Sequence, residues 1–171
     1  DELVSLAGRG DDVWDDIRAM QLTYGAIEGS DRLRTGISGL YETIGLPNIT
    51  ITHGAIGAND LAINALVDPG DHVISVLPTY QQLYSIPESL GARVSICHLK
   101  PENGFLPDLD EMRAFAQDGV KLICVNNPNN PSGAVMGEAF MREIVAIARE
   151  HDAWVLCDEA YRGLNHAPYG Q

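Results

Sequence analysis

Two short polar runs in this chain carry the residue types of a cofactor site. Asn126-Asn127-Pro128-Asn129-Asn130-Pro131-Ser132-Gly133 follows the apolar stretch Val120–Val125, and Asp158-Glu159-Ala160-Tyr161 follows Trp154–Cys157. Both apolar stretches read as buried strands, so an amide, a carboxylate and a phenol arrive at the carboxyl ends of two strands. Open α/β sheets bind their ligands there. A carboxylate matches a basic ring nitrogen, and an amide and a phenol match a phenolic oxygen. The set therefore suits a flat heteroaromatic cofactor carrying both, a description that pyridoxal phosphate meets.

The elements that must position these groups alternate between helix and strand patterns, without an obvious linker or internal repeat. That alternation is the signature of an α/β fold with a parallel sheet. The spacing of Leu33, Ile37, Leu40 and Ile44 predicts an amphipathic helix over 31–44, and Ile49–Thr52 reads as a short first strand. A helix over 58–67 ends at Asp68-Pro69-Gly70, followed by a strand over His72–Leu77, a helix over 81–90 closed by Gly91, and a third strand over Ala92–Cys97. Asp108, with Glu111 three residues later, has the spacing of a capping box; the helix it starts buries Leu109, Met112 and Phe115. Val120–Val125 and Trp154–Cys157 are the fourth and fifth strands, with a helix over 137–150 between them that turns Phe140, Ile144, Ile147 and Ala148 inward.

Right-handed crossovers put every loop that follows a strand on one edge of such a sheet. The polar segments at 53–57, 78–80, 126–133 and 158–161 should therefore converge. Turn formation alone accounts for their Pro and Gly residues, but not for Tyr80, Asp158 or Tyr161. Gly54-Ala55-Ile56 precedes the 58–67 helix; free amides at a helix N-terminus form a phosphate site, and a glycine lets the backbone approach closely.

Bulk properties exclude several classes. The 171 residues carry 11 basic and 24 acidic side chains, a net charge of -13, with no basic cluster to bind nucleic acid. No apolar run approaches the ~20 residues that span a bilayer, and Asp1-Glu2-Leu3-Val4 does not resemble a signal peptide. Cys97, Cys124 and Cys157 are an odd number without paired spacing, which fits small buried hydrophobes in a reducing, cytoplasmic compartment. The five histidines lack metal-ligand spacing, so no metal site is expected. Asp11, Asp12, Asp15 and Asp16 read as a solvated surface, and Arg34 as a structural residue on its helix.

Taken together, Tyr24-Gly25 with Leu33-Arg34, Thr52-His53-Gly54-Ala55-Ile56, Pro69-Gly70-Asp71, Pro78-Thr79-Tyr80, the Asn/Pro run and the Asp158–Tyr161 box resemble, in order, the fold-type I pyridoxal-phosphate enzymes of the class I/II aminotransferase family. The resemblance runs through nearly the whole chain. It implies a three-layer α/β/α sandwich with a mostly parallel sheet: residues 1–45 form an N-terminal segment and entry helix, and 46–171 an incomplete large, cofactor-binding domain. It assigns Gly54, Ala55 and Ile56 to the cofactor phosphate. Some family members place a hydroxyl here, so Ala55 and Ile56 would offer backbone groups only. It places Tyr80 in a stack on the pyridine ring, Asp158 at the ring nitrogen, and Asn130 and Tyr161 at the phenolic oxygen. Tyr24 matches a tyrosine that reaches the partner subunit's phosphate in a homodimer.

The pattern also has gaps. The family holds its cofactor on a lysine downstream of the Asp/Tyr box, and this chain has no lysine after Lys121. The arginine that binds the substrate carboxylate, the small domain and the last two sheet strands are not matched either. With those strands missing, Ile49–Thr52 would have no neighbour in its own sheet. The chain is therefore expected to be part of a longer enzyme and inactive by itself. The complete protein would move an amino group between an amino acid and a 2-oxo acid. A C–S lyase, decarboxylase or cyclase on the same scaffold, or a non-catalytic cofactor-binding sensor domain, are the alternatives.

Overall fold

The computed structural model describes residues 12–166. The chain divides into two compact units, Asp1–Ile51 and Thr52–Gln171, a few residues beyond the boundary expected at 45/46.

In the first unit, α1 spans Asp12–Ala19 and α2 spans Asp31–Ser38. The Ser30 hydroxyl caps α2 by accepting from the Leu33 N–H, and Asp31 complements the positive end of the helix. The helix predicted over 31–44 stops six residues early. Two glycines, Gly36 and Gly39, weaken its continuation, and the Ser38 hydroxyl turns away to donate to the Ile44 carbonyl at 2.7 Å. Leu40, assigned to the apolar stripe, is exposed. Arg34 is structural, as expected: its guanidinium donates to the carbonyls of Leu46 and Ile49 and pairs with Asp31.

The expected strand at Ile49–Thr52 does not form. A strand needs a neighbour offering free N–H and C=O groups, and none lies beside this segment among the described residues. The Ile51 N–H donates instead to the Glu28 carbonyl at 2.9 Å.

The second unit holds the sheet. In chain order it runs α3 (Gly54–Leu66), β1 (His72–Leu77), α4 (Gln82–Ser89), β2 (Arg93–His98), α5 (Leu109–Ala116), β3 (Leu122–Asn126), α6 (Glu138–Glu150) and β4 (Trp154–Asp158). The strands are all parallel, in the order β2-β1-β3-β4. The central strands β1 and β3 are covered on both faces, which explains why they read as mainly apolar rather than alternating, with Ser75 the one polar interruption inside β1.

Alternation within β1 and β3 sorts their side chains into two cores. Ile74, Val76, Ile123 and Val125 pack with Met112 of α5 and with Ile144 and Ile147 of α6. Val73, Leu122 and Cys124 pack on the opposite face with Ile63 of α3 and Leu83 of α4. Two helices thus cover each face, giving the three layers. Each fully buried Ile or Leu contributes about 1.5–3 kcal/mol. Asp108 caps α5 as predicted, its carboxylate accepting from the N–H groups of Asp110 and Glu111 at 2.9 and 3.2 Å. Of the three side chains expected to be buried there, Met112 is; Leu109 and Phe115 are half-buried against the same core.

Candidate functional site

Parallel strands end on one edge, and the register places Asn126 of β3 directly beside Asp158 of β4 as the last pair of that ladder. Asp158 is thus the final strand residue rather than the first loop residue. It is only 5% exposed. Its carboxylate accepts two hydrogen bonds, from Asn59 Nδ2 to Oδ2 at 2.8 Å and from the Ala160 N–H to Oδ1 at 3.0 Å. Its carbonyl accepts two more, from Asn126 Nδ2 at 2.8 Å and the Asn127 N–H at 2.9 Å. Glu159 points elsewhere and pairs with Arg162 at 3.5 Å.

The asparagine-rich loop after β3 divides its amides between structure and cavity. Asn126 also accepts from the Asn130 N–H. Asn127 exchanges two hydrogen bonds with the Met136 backbone, at 3.0 and 2.9 Å. Asn129 donates to the Pro78 carbonyl and to the Ser132 hydroxyl, which ties this loop to the one after β1. The Asn130 amide has no hydrogen-bond partner among the described residues, and Asn130 lines a cavity of about 270 Å³.

Ala55, Ile56, Tyr80, Asn126, Asp158, Ala160 and Tyr161 complete that lining. Six residues singled out from sequence are thereby brought together from four separate segments. Gly54 is not in the lining but begins α3 immediately before it, with φ +73, a value that favours glycine. The helix predicted over 58–67 therefore starts four residues early. Gly57, inside this first part of the helix, lies against Thr52: a Cβ there would meet the Thr52 Cβ at 3.3 Å.

The first turn of α3 is Gly54-Ala55-Ile56 itself, with no side-chain cap from His53. The N–H groups of a first turn have no intrahelical acceptor and point outward with the positive end of the dipole. The helix N-terminus suits an anion, and the Asp158 carboxylate in the same lining suits a cation. Tyr80 and Tyr161 are partly exposed, at 38% and 42%. Tyr24 lies in the first unit, with its side chain fully exposed. A larger depression of about 570 Å³, lined by Pro128, Pro131, Val135 and Leu164, shares Asn130 and Tyr161 with the cavity. No carboxylate is part of its lining, unlike that of the smaller cavity.

Two residues at this site were not assigned roles from sequence. Asn126 lay within the asparagine run but was indistinguishable there from a turn-former. Asn59 left a fainter signal, a polar residue four positions before Ile63 and hence on the same inward face of α3. Burial raises all three thiols, Cys97, Cys124 and Cys157, to a pKa of about 12, which fits packing rather than reactivity. Among the described residues, no group of three or more His, Cys, Asp or Glu side chains could hold a metal ion.

Residues 18–168 match the family model for aminotransferase class I and II. The chain is similar to a solved PLP-dependent aminotransferase from Streptococcus suis, with a TM-score of 0.90 and 46% identity, covering 92% of this chain and 42% of that one. It is 37% identical over 138 residues to the capreomycidine synthase of Streptomyces vinaceus, covering 81% of this chain and 36% of the relative. It is 38% identical over 97 residues to the LL-diaminopimelate aminotransferase of Nitratidesulfovibrio vulgaris, covering 57% and 25%. The chain thus spans well under half the length of the relatives it matches.

Proposed function

The chain belongs to the class I and II aminotransferase family, and from that premise we propose that the complete protein carrying it is a pyridoxal-phosphate-dependent aminotransferase, moving an amino group between an amino acid and a 2-oxo acid. One observation carries this reading above the rest: a buried carboxylate, Asp158, with a donor on each oxygen, lines the same cavity as an uncapped helix N-terminus. The donor set fits both the phosphate and the ring nitrogen of the cofactor. Bound pyridoxal phosphate supplies a sink for the electron pair left when a bond to the substrate α-carbon breaks.

The chain's own residues bind and tune that group. Asp158 sits at the ring nitrogen and holds a proton there by charge. The first-turn amides of Gly54, Ala55 and Ile56 bind the phosphate, each such contact contributing ~0.3–1 kcal/mol and up to ~2 when partly buried. Tyr80 stacks on the ring, worth ~0.5–1.5 kcal/mol beyond the area it covers. Asn130, whose amide is uncommitted within the loop, and the Tyr161 hydroxyl donate to the phenolic oxygen.

Residues 46–171 form the cofactor-binding part of a large domain, and residues 1–45 an N-terminal segment. The lysine that holds the cofactor and the group that binds the substrate carboxylate come from the rest of the protein. The fully exposed Tyr24 ring supports a homodimer in which it reaches the partner's phosphate. Three free cysteines support a reducing, cytoplasmic location, and the net charge of -13 supports partners other than nucleic acid. No described helix is long and apolar enough to cross a membrane, and the family's amino-acid and 2-oxo-acid substrates call for no membrane partner.

The test is the visible absorbance of the full-length protein before and after borohydride, with a panel of amino acids and 2-oxo acids assayed alongside. We expect a cofactor band that reduction removes, the cofactor then fixed to a lysine, and amino transfer with at least one pair. A protein with no band after incubation with pyridoxal phosphate, or with a band and no amino transfer, would overturn the reading.

A further inference from the structure

Asn59 is a buried amide on a helix face that otherwise packs Ile63 into the core. Burying an amide is unfavourable unless it is hydrogen-bonded, and an apolar side chain would fill the same position without that cost. The amide's Nδ2 donates to Asp158 Oδ2 at 2.8 Å, across 99 residues of sequence. An ionised carboxylate can only accept, so the amide must present its nitrogen to Asp158, and the contact is charge-assisted. The Ala160 N–H alone, on Oδ1, would leave the carboxylate free to turn about its Cβ–Cγ bond.

We propose that Asn59 is a positioning residue for Asp158, fixing the plane of the carboxylate and keeping its charge on the ring nitrogen of the cofactor. This rests on the site reading above. A carboxylate that loses a charge-assisted donor becomes a stronger base and draws a shared proton towards itself. Removing the Asn59 amide should therefore shift the proton from the ring nitrogen towards Asp158 and loosen the cofactor.

The experiment uses the complete enzyme, loaded with pyridoxal phosphate labelled with nitrogen-15 in the ring. Asn59→Leu keeps the shape and deletes the donor; Asn59→Ser removes the reach without adding bulk and serves should the leucine variant not fold. In each we expect the ring nitrogen signal to move towards that of an unprotonated pyridine. The dissociation constant of the cofactor should rise about tenfold, as for the loss of one charge-assisted hydrogen bond. The kcat should fall by a similar factor with little change in KM for the amino acid.

A ring nitrogen signal and cofactor affinity equal to wild type, with only the thermal midpoint lowered, would make Asn59 a packing residue and overturn the proposal. The wild-type spectrum separates this failure from a failure of the site reading. A protonated-ring signal in wild type leaves only Asn59 in question, whereas a wild-type protein that binds no cofactor overturns both.

Discussion

Replacing Asp158 by Asn in the complete enzyme is the sharpest test of the site, because it removes the charge and leaves the shape. A unit-charge pair about 4 Å apart is worth on the order of 4 kcal/mol at an effective dielectric of 20. With Asp158 only 5% exposed, bulk water screens that interaction little. At about 1.4 kcal/mol per decade, kcat should fall about a thousandfold. The cost to the fold is smaller. The new amide can accept from the Ala160 N–H and donate to Asn59 once the Asn59 amide turns over, so what is lost is the charge assistance of the two bonds, about 1–2 kcal/mol. The two carbonyl-directed bonds from Asn126 and Asn127 do not involve the side chain and should persist. The assay is single-turnover amino transfer at saturating cofactor, with urea unfolding of the cofactor-free protein in parallel. Turnover within about tenfold of wild type would refute the ring-nitrogen assignment, since a carboxylate only 5% exposed is screened too little by water to reduce a thousandfold effect that far.

Tyr80→Ala should weaken cofactor binding several-fold, matching ~0.5–1.5 kcal/mol for a ring stack, while leaving measurable turnover; unchanged affinity by fluorescence titration would make Tyr80 a surface residue. Cys97, Cys124 and Cys157 should resist alkylation in the native protein at pH 8 and react on unfolding, because burial pushes each thiol up to about 12. Thiols that ionise more readily when unfolded also predict stability that is full below about pH 9 and falls as the pH rises towards 12; mass spectrometry after pulsed labelling and alkaline denaturation check the two parts. His72 is buried at the start of β1, where burial and then the Arg93 charge lower its pKa. The unfolded chain therefore takes up this proton first, and stability should be full above pH 6.5 and decline below it. Comparing wild type with His72→Gln by urea unfolding at several pH values should show a shallower decline in the variant.

The parts of this fold that were legible in the sequence are those where one physical signal dominates. The mainly apolar runs of β1 and β3 announce strands covered on both faces, and Asp108 with a helix to cap announces the start of α5. The convergence of Tyr80, Asn130, Asp158 and Tyr161 came from topology alone, because parallel strands deliver their succeeding loops to one edge. The failures are places where two signals compete. Apolar spacing over 31–44 was overruled by glycine: α2 passes through Gly36 but ends with Gly39 as its C-cap. Ile49–Thr52 has strand composition but no partner, and a strand is a property of a pair. The helix expected over 58–67 starts at Gly54 instead, and the missing side chain of Gly57 lets its first part pass close to Thr52.

Asn59 was illegible for a deeper reason. A helix pattern records which face is inward, but not what waits there, and its partner lies on a strand at the far end of the chain. The hydrogen bonds around Asp158 show why that partner matters. Two donors, both from β3 and its loop, fix the backbone of the last strand residue; two others, from α3 and from the turn after β4, fix its carboxylate. Position and orientation are thus set by different elements, so a small shift in one need not disturb the other. Electrostatic stabilisation depends on dipoles and charges already in place when charge develops, and a carboxylate held on both oxygens has little left to reorganise. The same bonds make a strand end, rather than a mobile loop, the support for the charge, which is where a site requiring fixed geometry gains most from rigid elements.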